Sequence, residues 1–352
     1  MAKTLMKGNE ALALAAIKGG CTHYFGYPIT PQNEIIEFMA RELPRAGGVF
    51  LQAESELAAI NMVYGASATG ARVMTSSSSP GIALMQEGLS SLAAAELPCV
   101  IVNVQRGGPG IGGIQPAQSD YYQMTRGGGN GDYRILSLAP ANAQESAEMI
   151  RDAFELADKY RTPVFIVSDG MLGQMMEPVE FSDSPVPAPV KKEWATVGHG
   201  GKRKPNTVKT LGLDPHVLEE MNLARQRKYA EISASEVRYE DFQTENAEII
   251  FCAYGSTSRI VKNAIELLQQ ENISAGLIRP QTLWPFPSQP LQNLPASCKK
   301  VLCVEMSLGQ MVDDVRLAVN GKLPVEFFGR TGGIIPSPEE IVAEAKLHLG
   351  RG

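Results

Sequence analysis

Apolar positions along the first half of the chain alternate between two periods. Residues 9–18, 31–43, 56–68, 82–95 and 142–159 carry apolar side chains at helical spacing. Between them lie short β-branched or apolar runs at residues 23–27, 49–52, 72–75, 99–104 and 163–168. The runs at 99–104 and 163–168 are apolar apart from Asn103 and Ser168, as expected of strands covered on both faces. Helices alternating with such strands predict an α/β fold built on a doubly wound parallel sheet.

The pattern then changes. Residues 185–192 are proline-rich, and the chain stays polar and glycine-containing to residue 207, which suits an extended linker or wrapping loop. Residues 216–239 predict a charged helix with few apolar positions, suited to bridging. Strands at 248–254, 274–278 and 300–305, with helices at 259–271 and 309–319, predict a second, smaller α/β domain. The polar turn at residues 255–258 is expected to cap the first of those helices. The expected division is a first domain over 1–183, a linker and bridging helix over 184–245, and a second domain over 246–352. No internal repeat is evident.

Composition narrows the functional classes. The formal net charge is −6 and like charges form no block, which argues against a dedicated nucleic-acid binder. No apolar run reaches the length of about 18 residues expected of a membrane span. Asn9 and Glu10 interrupt any signal-peptide core, so residues 6–18 suit a first helix and a cytoplasmic location. The cysteines, Cys21, Cys99, Cys252, Cys298 and Cys303, form no C-x-x-C pair and sit mostly in apolar stretches, as small buried hydrophobes do. An iron–sulfur cluster on this chain is therefore not expected, and four scattered histidines suggest no metal site.

Three segments near the ends of predicted strands could carry chemistry, where open parallel sheets place ligands. In Gly26-Tyr27-Pro28-Ile29-Thr30-Pro31, two prolines fix the backbone around Thr30, whose hydroxyl could equally be an N-cap ahead of Pro31. Glu54-Ser55-Glu56 opens an apolar helix, and a carboxylate there is favoured by the helix dipole yet partly desolvated. Arg106 follows a buried strand and precedes a glycine-rich loop, which suits recognition of a small carboxylate but also describes a surface loop. Ser76 to Ser79, before Pro80-Gly81, could cradle a phosphate or cap a helix. Gly-x-Ser-x-Gly is absent, so a serine hydrolase is not supported.

Together these segments resemble the pyrimidine-binding domain of the 2-oxoacid:ferredoxin oxidoreductases. The likeness rests on residues 27–31, on residues 56–65, on Thr-Ser-Ser-Ser-Ser-Pro-Gly at 75–81 and on the Arg106 loop, in the family's order. Residues 248–319 are similar to its transketolase-C-terminal-like domain, and the likeness is strongest to subunits acting on 2-oxoisovalerate or 2-oxoglutarate. It implies thiamine diphosphate shared with a partner subunit, and CoA-dependent oxidative decarboxylation of a 2-oxoacid with reduction of ferredoxin. Glu56 would hydrogen-bond the pyrimidine and turn its amino group into a base, with Glu54 the competing choice; Tyr27 and Pro28 would lie against the cofactor. Thr30 and Arg106 would hold the substrate carboxylate.

The family's Mg²⁺-diphosphate pattern has only the fragment Ser168-Asp169-Gly170 here, with no asparagine at the usual distance beyond it. The resemblance therefore implies a diphosphate-binding partner subunit with Mg²⁺, ferredoxin-like or other small subunits with iron–sulfur clusters, and external ferredoxin. Two alternatives stay open: a subunit of a ferredoxin-independent split thiamine enzyme, and a non-catalytic binding or regulatory subunit of the same fold.

Overall fold

In the computed structural model, which describes residues 3–181 and 191–351, the alternating pattern resolves into two largely parallel sheets and one short ribbon. From the N-terminus come β1 (Thr4–Lys7), α1 (Gly8–Lys18), β2 (His23–Gly26), α2 (Asn33–Glu42), β3 (Val49–Gln52), α3 (Glu56–Ala68), β4 (Val73–Ser77), α4 (Ser79–Ala94) and β5 (Cys99–Gln105). A long loop leads to α5 (Tyr121–Thr125), β6 (Leu136–Leu138), α6 (Ala143–Tyr160), β7 (Pro163–Asp169), α7 (Gly170–Gln174) and β8 (Met176–Val179). The rest comprises α8 (Pro215–Ser235), β9 (Tyr239–Phe242), β10 (Ile249–Cys252), α9 (Gly255–Gln270), β11 (Ala275–Pro280), β12 (Thr282–Trp284), α10 (Ser288–Gln292), β13 (Lys300–Glu305), α11 (Met311–Val319), β14 (Val325–Gly329) and α12 (Pro338–Leu349).

The larger sheet runs β12-β6-β7-β5-β4-β2-β3, parallel throughout except where β12 pairs antiparallel with β6. Its centre is the β5–β7 pair, seven residues in register from Cys99↔Pro163 to Gln105↔Asp169. All seven positions of each strand are buried, which explains their largely apolar sequences. One face is covered by α1, α2 and α6 through residues such as Leu12, Ile35 and Ile150. The other is covered by α3 and α4, through Ile60, Val63, Met85 and Leu89. That second core continues into the smaller unit, through Tyr121 and Tyr254 to Ile250, Val301 and Val315.

The smaller sheet runs β14-β13-β10-β11-β9, with β9 antiparallel to β11 and the others parallel. Its outer core, between α9 and α12, includes Val261, Ile265 and Ile341. The two units exchange chain: β9 comes from the stretch read as linker, and β12 leaves the smaller unit to edge the larger sheet. Of the 21 residues of α8, Arg225, Tyr229 and Ile232 are buried, in keeping with a mostly solvated helix, which ends at Ser235 where the sequence pattern carries it to residue 239. It lies on the larger unit: Arg225 donates to the Ala94 carbonyl at 3.2 Å, and Tyr229 stands edge-on to Trp284 with ring centroids 5.7 Å apart.

Some expectations need correction. Residues 6 and 7 belong to β1, which pairs antiparallel with β8, so the first helix starts at Gly8. Residues 255–258 form the first turn of α9 rather than a cap ahead of it. The proline-rich residues 185–190 lie outside the described residues. Among the described residues, no helix is long and apolar enough to cross a membrane.

Candidate active site

Parallel pairing brings the C-terminal ends of β2, β3, β4 and β5 to one edge of the larger sheet, and the sequence-predicted residues follow those ends. After β3, Ser55 adopts extended backbone and accepts the Ala58 N–H at 3.1 Å, capping α3. This sets Glu56 as the first residue of the helix. Because α3 packs Ala59, Ile60 and Val63 into the core, Glu56 is buried at 6% exposure, whereas Glu54 points to solvent. The structure thus separates the two carboxylates that the sequence left in competition.

The Glu56 carboxylate abuts the first turn of α4. A Cβ placed on Gly81 would lie 2.6 Å from Glu56 Oε1 and 2.0 Å from Ser77 Oγ, so only glycine allows this approach without displacement. Ser77 Oγ, which meets that same position, is buried with no hydrogen-bond partner among the described residues, as are Thr75 Oγ1 and Ser78 Oγ at the same strand end. Such unmet groups are uncommon in a folded interior and mark a place for a polar ligand. Ser76, by contrast, is used by the fold, linking the Tyr24 hydroxyl (2.6 Å) to Gln32 Oε1 (2.6 Å).

Arg106 follows β5 and is buried at 7% exposure. Its backbone N–H donates to Ser79 Oγ at 3.0 Å, and the Ser79 hydroxyl donates to the Asp120 carboxylate at 2.5 Å. The first turn of α4 therefore touches both Glu56 and Arg106. Asp120 also accepts from Asn103 Nδ2 at 3.0 Å. Burial pushes the Asp120 carboxyl above its ordinary pKa, opposed by the bonds from Ser79 and Asn103 and by the Arg106 charge.

The Arg106 guanidinium donates from Nη1 to the Thr30 carbonyl at 2.9 Å and from Nη2 to the Ile111 carbonyl at 2.8 Å, while Nε is buried without a partner among the described residues. Arg106 and Thr30 are thus brought together. Thr30 is not the N-cap of α2: the helix starts at Asn33 after Gln32, and the Thr30 hydroxyl accepts only a long 3.4 Å bond from Asn33 Nδ2. Tyr27 and Pro28 continue from β2 with exposed side chains. Beside Thr30 opens a cavity of about 600 Å³ whose walls include Pro31, Ile114, Pro116, Met171, Met175 and Ile335.

The Ser168-Asp169-Gly170 fragment serves the fold. Asp169 Oδ1 caps α7 by accepting from Met171 N (2.9 Å) and Leu172 N (3.1 Å), and Oδ2 accepts from Ser256 at 2.5 Å. Among the described residues no group of three or more His, Cys, Asp or Glu is arranged to hold a metal. All five cysteines are free and buried, and burial pushes the Cys21 thiol up to about 12. Sequence reasoning missed Gly81, Asn103 and Asp120. An aspartate just ahead of the buried aromatic of α5, Tyr121, was a possible signal, but its partners lie 17 and 41 residues away.

Comparison with known proteins bears on the family and the fold. Residues 14–249 match the family described as pyruvate flavodoxin/ferredoxin oxidoreductase, thiamine diphosphate-binding, and residues 247–341 match pyruvate:ferredoxin oxidoreductase core domain II. The chain is 50% identical over 350 residues to the ketoisovalerate oxidoreductase subunit VorB of Methanothermobacter thermautotrophicus, covering 99% of each. It is 37% identical over 363 residues to the 2-oxoglutarate synthase subunit KorA of Methanocaldococcus jannaschii, covering 96% of this chain and 97% of that one. Its structure is similar to that of 2-oxoglutarate:ferredoxin oxidoreductase from Magnetococcus marinus, with a TM-score of 0.86 and 30% identity, covering 99% of this chain and 65% of the longer solved chain. A split-gene transketolase aligns with a TM-score of 0.63 at 15% identity over 98% of both chains, a likeness of fold alone. The chain belongs to the 2-oxoacid:ferredoxin oxidoreductase family, as a subunit with a thiamine diphosphate-binding domain that acts alongside other subunits.

Proposed function

We propose that this chain activates thiamine diphosphate through Glu56 in a CoA-dependent 2-oxoacid:ferredoxin oxidoreductase, with 2-oxoisovalerate the favoured substrate and 2-oxoglutarate next. The observation that carries this is the buried Glu56 carboxylate, packed on the α4 turn that also holds Arg106. Ser77 beside it, and Thr75 and Ser78 at the same strand end, have hydroxyls unpartnered among the described residues, which fit a nitrogen-rich heterocycle such as a pyrimidine that offers both donors and acceptors. Tyr27 and Pro28, on the neighbouring strand end, are assigned to the cofactor's flank.

The bound cofactor supplies the nucleophilic carbon and the electron sink for decarboxylation. The chain's own residues do the rest. Glu56 Oε1, in a buried setting, offers a hydrogen bond whose strength is not diluted by water. Arg106 keeps an unpartnered Nε–H and a second hydrogen on each terminal nitrogen, a planar fork matched to a carboxylate. The Thr30 hydroxyl, engaged only at 3.4 Å, is available to fix that carboxylate's orientation.

The cavity beside Thr30 supports a branched aliphatic tail. Its walls are mainly apolar, its ionisable lining residue Glu34 is acidic, and no lysine, arginine or histidine lines it among the described residues. Lys7, which reaches two of the lining residues, is engaged by Glu34 (2.9 Å) and Gln174 (3.2 Å), so a second carboxylate there would have to compete with Glu34 for it. The 50%-identical relative is named for ketoisovalerate.

The proposed division is a pyrimidine-binding domain over 1–183, a linker and bridging helix over 184–245 and a transketolase-C-terminal-like domain over 246–352, with β9 and β12 crossing those bounds to pair in the other unit's sheet. The partners are a diphosphate-binding subunit with Mg²⁺, ferredoxin-like or other small subunits with iron–sulfur clusters, and external ferredoxin, in the cytoplasm. The test is anaerobic viologen reduction by the complex co-purified with this chain, given thiamine diphosphate, Mg²⁺, CoA and a panel of 2-oxoacids. CoA-dependent reduction preferring 2-oxoisovalerate is expected. No reduction with any oxoacid, from a complex holding its clusters and cofactor, would overturn the proposal.

A further inference from the structure

We propose that the smaller α/β unit sets the position of Arg106, and that Gln118 is the positioning residue through which it does so; this rests on the assignment of Arg106 to the substrate carboxylate. The loop leaving β5 at Arg106 is pinched back on itself. Arg106 bridges to Pro116, and the Gly107 N–H donates to the Gln115 carbonyl at 2.9 Å. The loop's own Ile111 carbonyl accepts from Arg106 Nη2 at 2.8 Å. The guanidinium is thus held between the Thr30 carbonyl at 2.9 Å and the loop, and a shift of the loop moves one of its two anchors.

The returning limb is held from the smaller unit. Gln118 is 1% exposed, and all four of its polar positions are engaged there. Its side-chain Nε2 donates to the Tyr254 carbonyl (2.9 Å), and its Oε1 accepts from Thr257 Oγ1 (2.7 Å) and Met306 N (3.1 Å). Its backbone N–H donates to the Met306 carbonyl (2.8 Å), and its carbonyl accepts from the Tyr254 hydroxyl (3.3 Å). These partners sit at the ends of β10 and β13 and in the first turn of α9, a rigid sheet edge.

Two residues further on, Asp120 takes the Ser79 hydroxyl that in turn receives the Arg106 N–H. A second contact comes from the loop after β14. A Cβ on Gly333 would lie 2.3 Å from Gln115 Cβ, and one on Gly107 would lie 3.4 Å from the Gly332 carbonyl carbon. Both limbs of the Arg106 loop thus rest on the smaller unit. A loop of this glycine content has no rigidity of its own to hold an arginine in place. Full engagement of a buried amide on a neighbouring sheet supplies it.

The test uses the assembled complex and compares KM for the preferred 2-oxoacid, KM for CoA, kcat and melting temperature across Gln118→Ala, Thr257→Val, Arg106→Ala and the Gln118→Ala/Arg106→Ala double variant. Gln118→Ala should raise the oxoacid KM by about tenfold, as misplacement of a binding group by a fraction of an ångström does, with CoA KM unmoved. Thr257→Val removes one donor and should raise it by about two- to threefold. In the Arg106→Ala background, Gln118→Ala should add no further rise, because the two act on one contact. Lower melting temperature or kcat with an unchanged oxoacid KM in Gln118→Ala, or additive KM effects in the double variant, would overturn the inference. Should Gln118→Ala fail to assemble, an unchanged oxoacid KM in Thr257→Val overturns it equally. An unchanged oxoacid KM in Arg106→Ala would instead remove the reading on which it rests.

Discussion

Gly81→Ala separates the chemistry of the site from its stability. The added methyl would sit 2.0 Å from Ser77 Oγ, 2.6 Å from Glu56 Oε1 and 2.7 Å from Glu56 Cγ. Ser77 relieves its contact by rotating about χ1, since its hydroxyl has no partner to lose. Glu56 must move: from 2.6 Å to an ordinary contact of roughly 3.5 Å, its carboxylate retreats by about 1 Å. Overpacking of this kind costs about 1–3 kcal/mol. Alanine is a better helix residue than glycine by about 1 kcal/mol, which offsets part of it within α4. The melting temperature should therefore change by only a few degrees. A displacement of about 1 Å at a reacting group, by contrast, costs on the order of 100-fold in rate. The assay is CoA-dependent viologen reduction by the assembled complex, with thermal melting alongside. Wild-type turnover in a well-folded Gly81→Ala complex would refute the placement of Glu56 against α4 as the feature that matters.

Further predictions concern the supporting structure. Burial holds the Asp169 carboxyl above its ordinary pKa against bonds from Ser256, Leu172 and Met171, so the native state binds its proton more tightly than the unfolded chain does. Its contribution to stability is then present below about pH 4 and falls as pH rises through the raised value. Asp169→Asn carries no such dependence. The melting temperature of the wild-type complex relative to this variant should decline as pH rises from about 4, and a pH-independent difference would contradict the linkage. Glu305 is fully buried and accepts from Ser307 Oγ (2.9 Å), Met311 N (3.0 Å) and Val312 N (2.9 Å) at the start of α11. Glu305→Leu strands those donors and should destabilise the smaller unit by about 3–5 kcal/mol, seen as an early transition in thermal melts. A loss below about 1 kcal/mol would show that water takes over the donors.

Helices and central strands were legible where one physical signal dominated. The apolar face of α3 predicts Glu56–Ala68 without error, and the largely apolar runs predict β5 and β7 to within one residue at their C-terminal ends. Short strands such as β6 and β12 have three residues each, too few for a period to register. The missed helix α12 did carry a local signal, the Ser337/Glu340 capping box. The helix expected from residue 31 begins two residues later, although Thr-Pro is a helix-start pair. The Pro31 carbonyl is instead taken by Asn9 Nδ2 (2.8 Å) and Gln174 Nε2 (3.2 Å), which delays the helix to Asn33.

At the site, local sequence offered Glu54 and Glu56 alike, and only the direction in which α3 faces the core distinguishes them. The hold on Arg106 was invisible because it spans the chain: Ser79 lies 27 residues away from it, and the Tyr254 carbonyl that anchors Gln118 lies 136 residues further along.

Glu56→Gln in the assembled complex tests most directly whether this chain activates the cofactor. Turnover in CoA-dependent viologen reduction should fall by on the order of 10²–10⁴, as loss of a positioned proton-handling group does, while the complex stays assembled and retains thiamine diphosphate. Wild-type turnover from Glu56→Gln with full cofactor content would contradict the role assigned to Glu56.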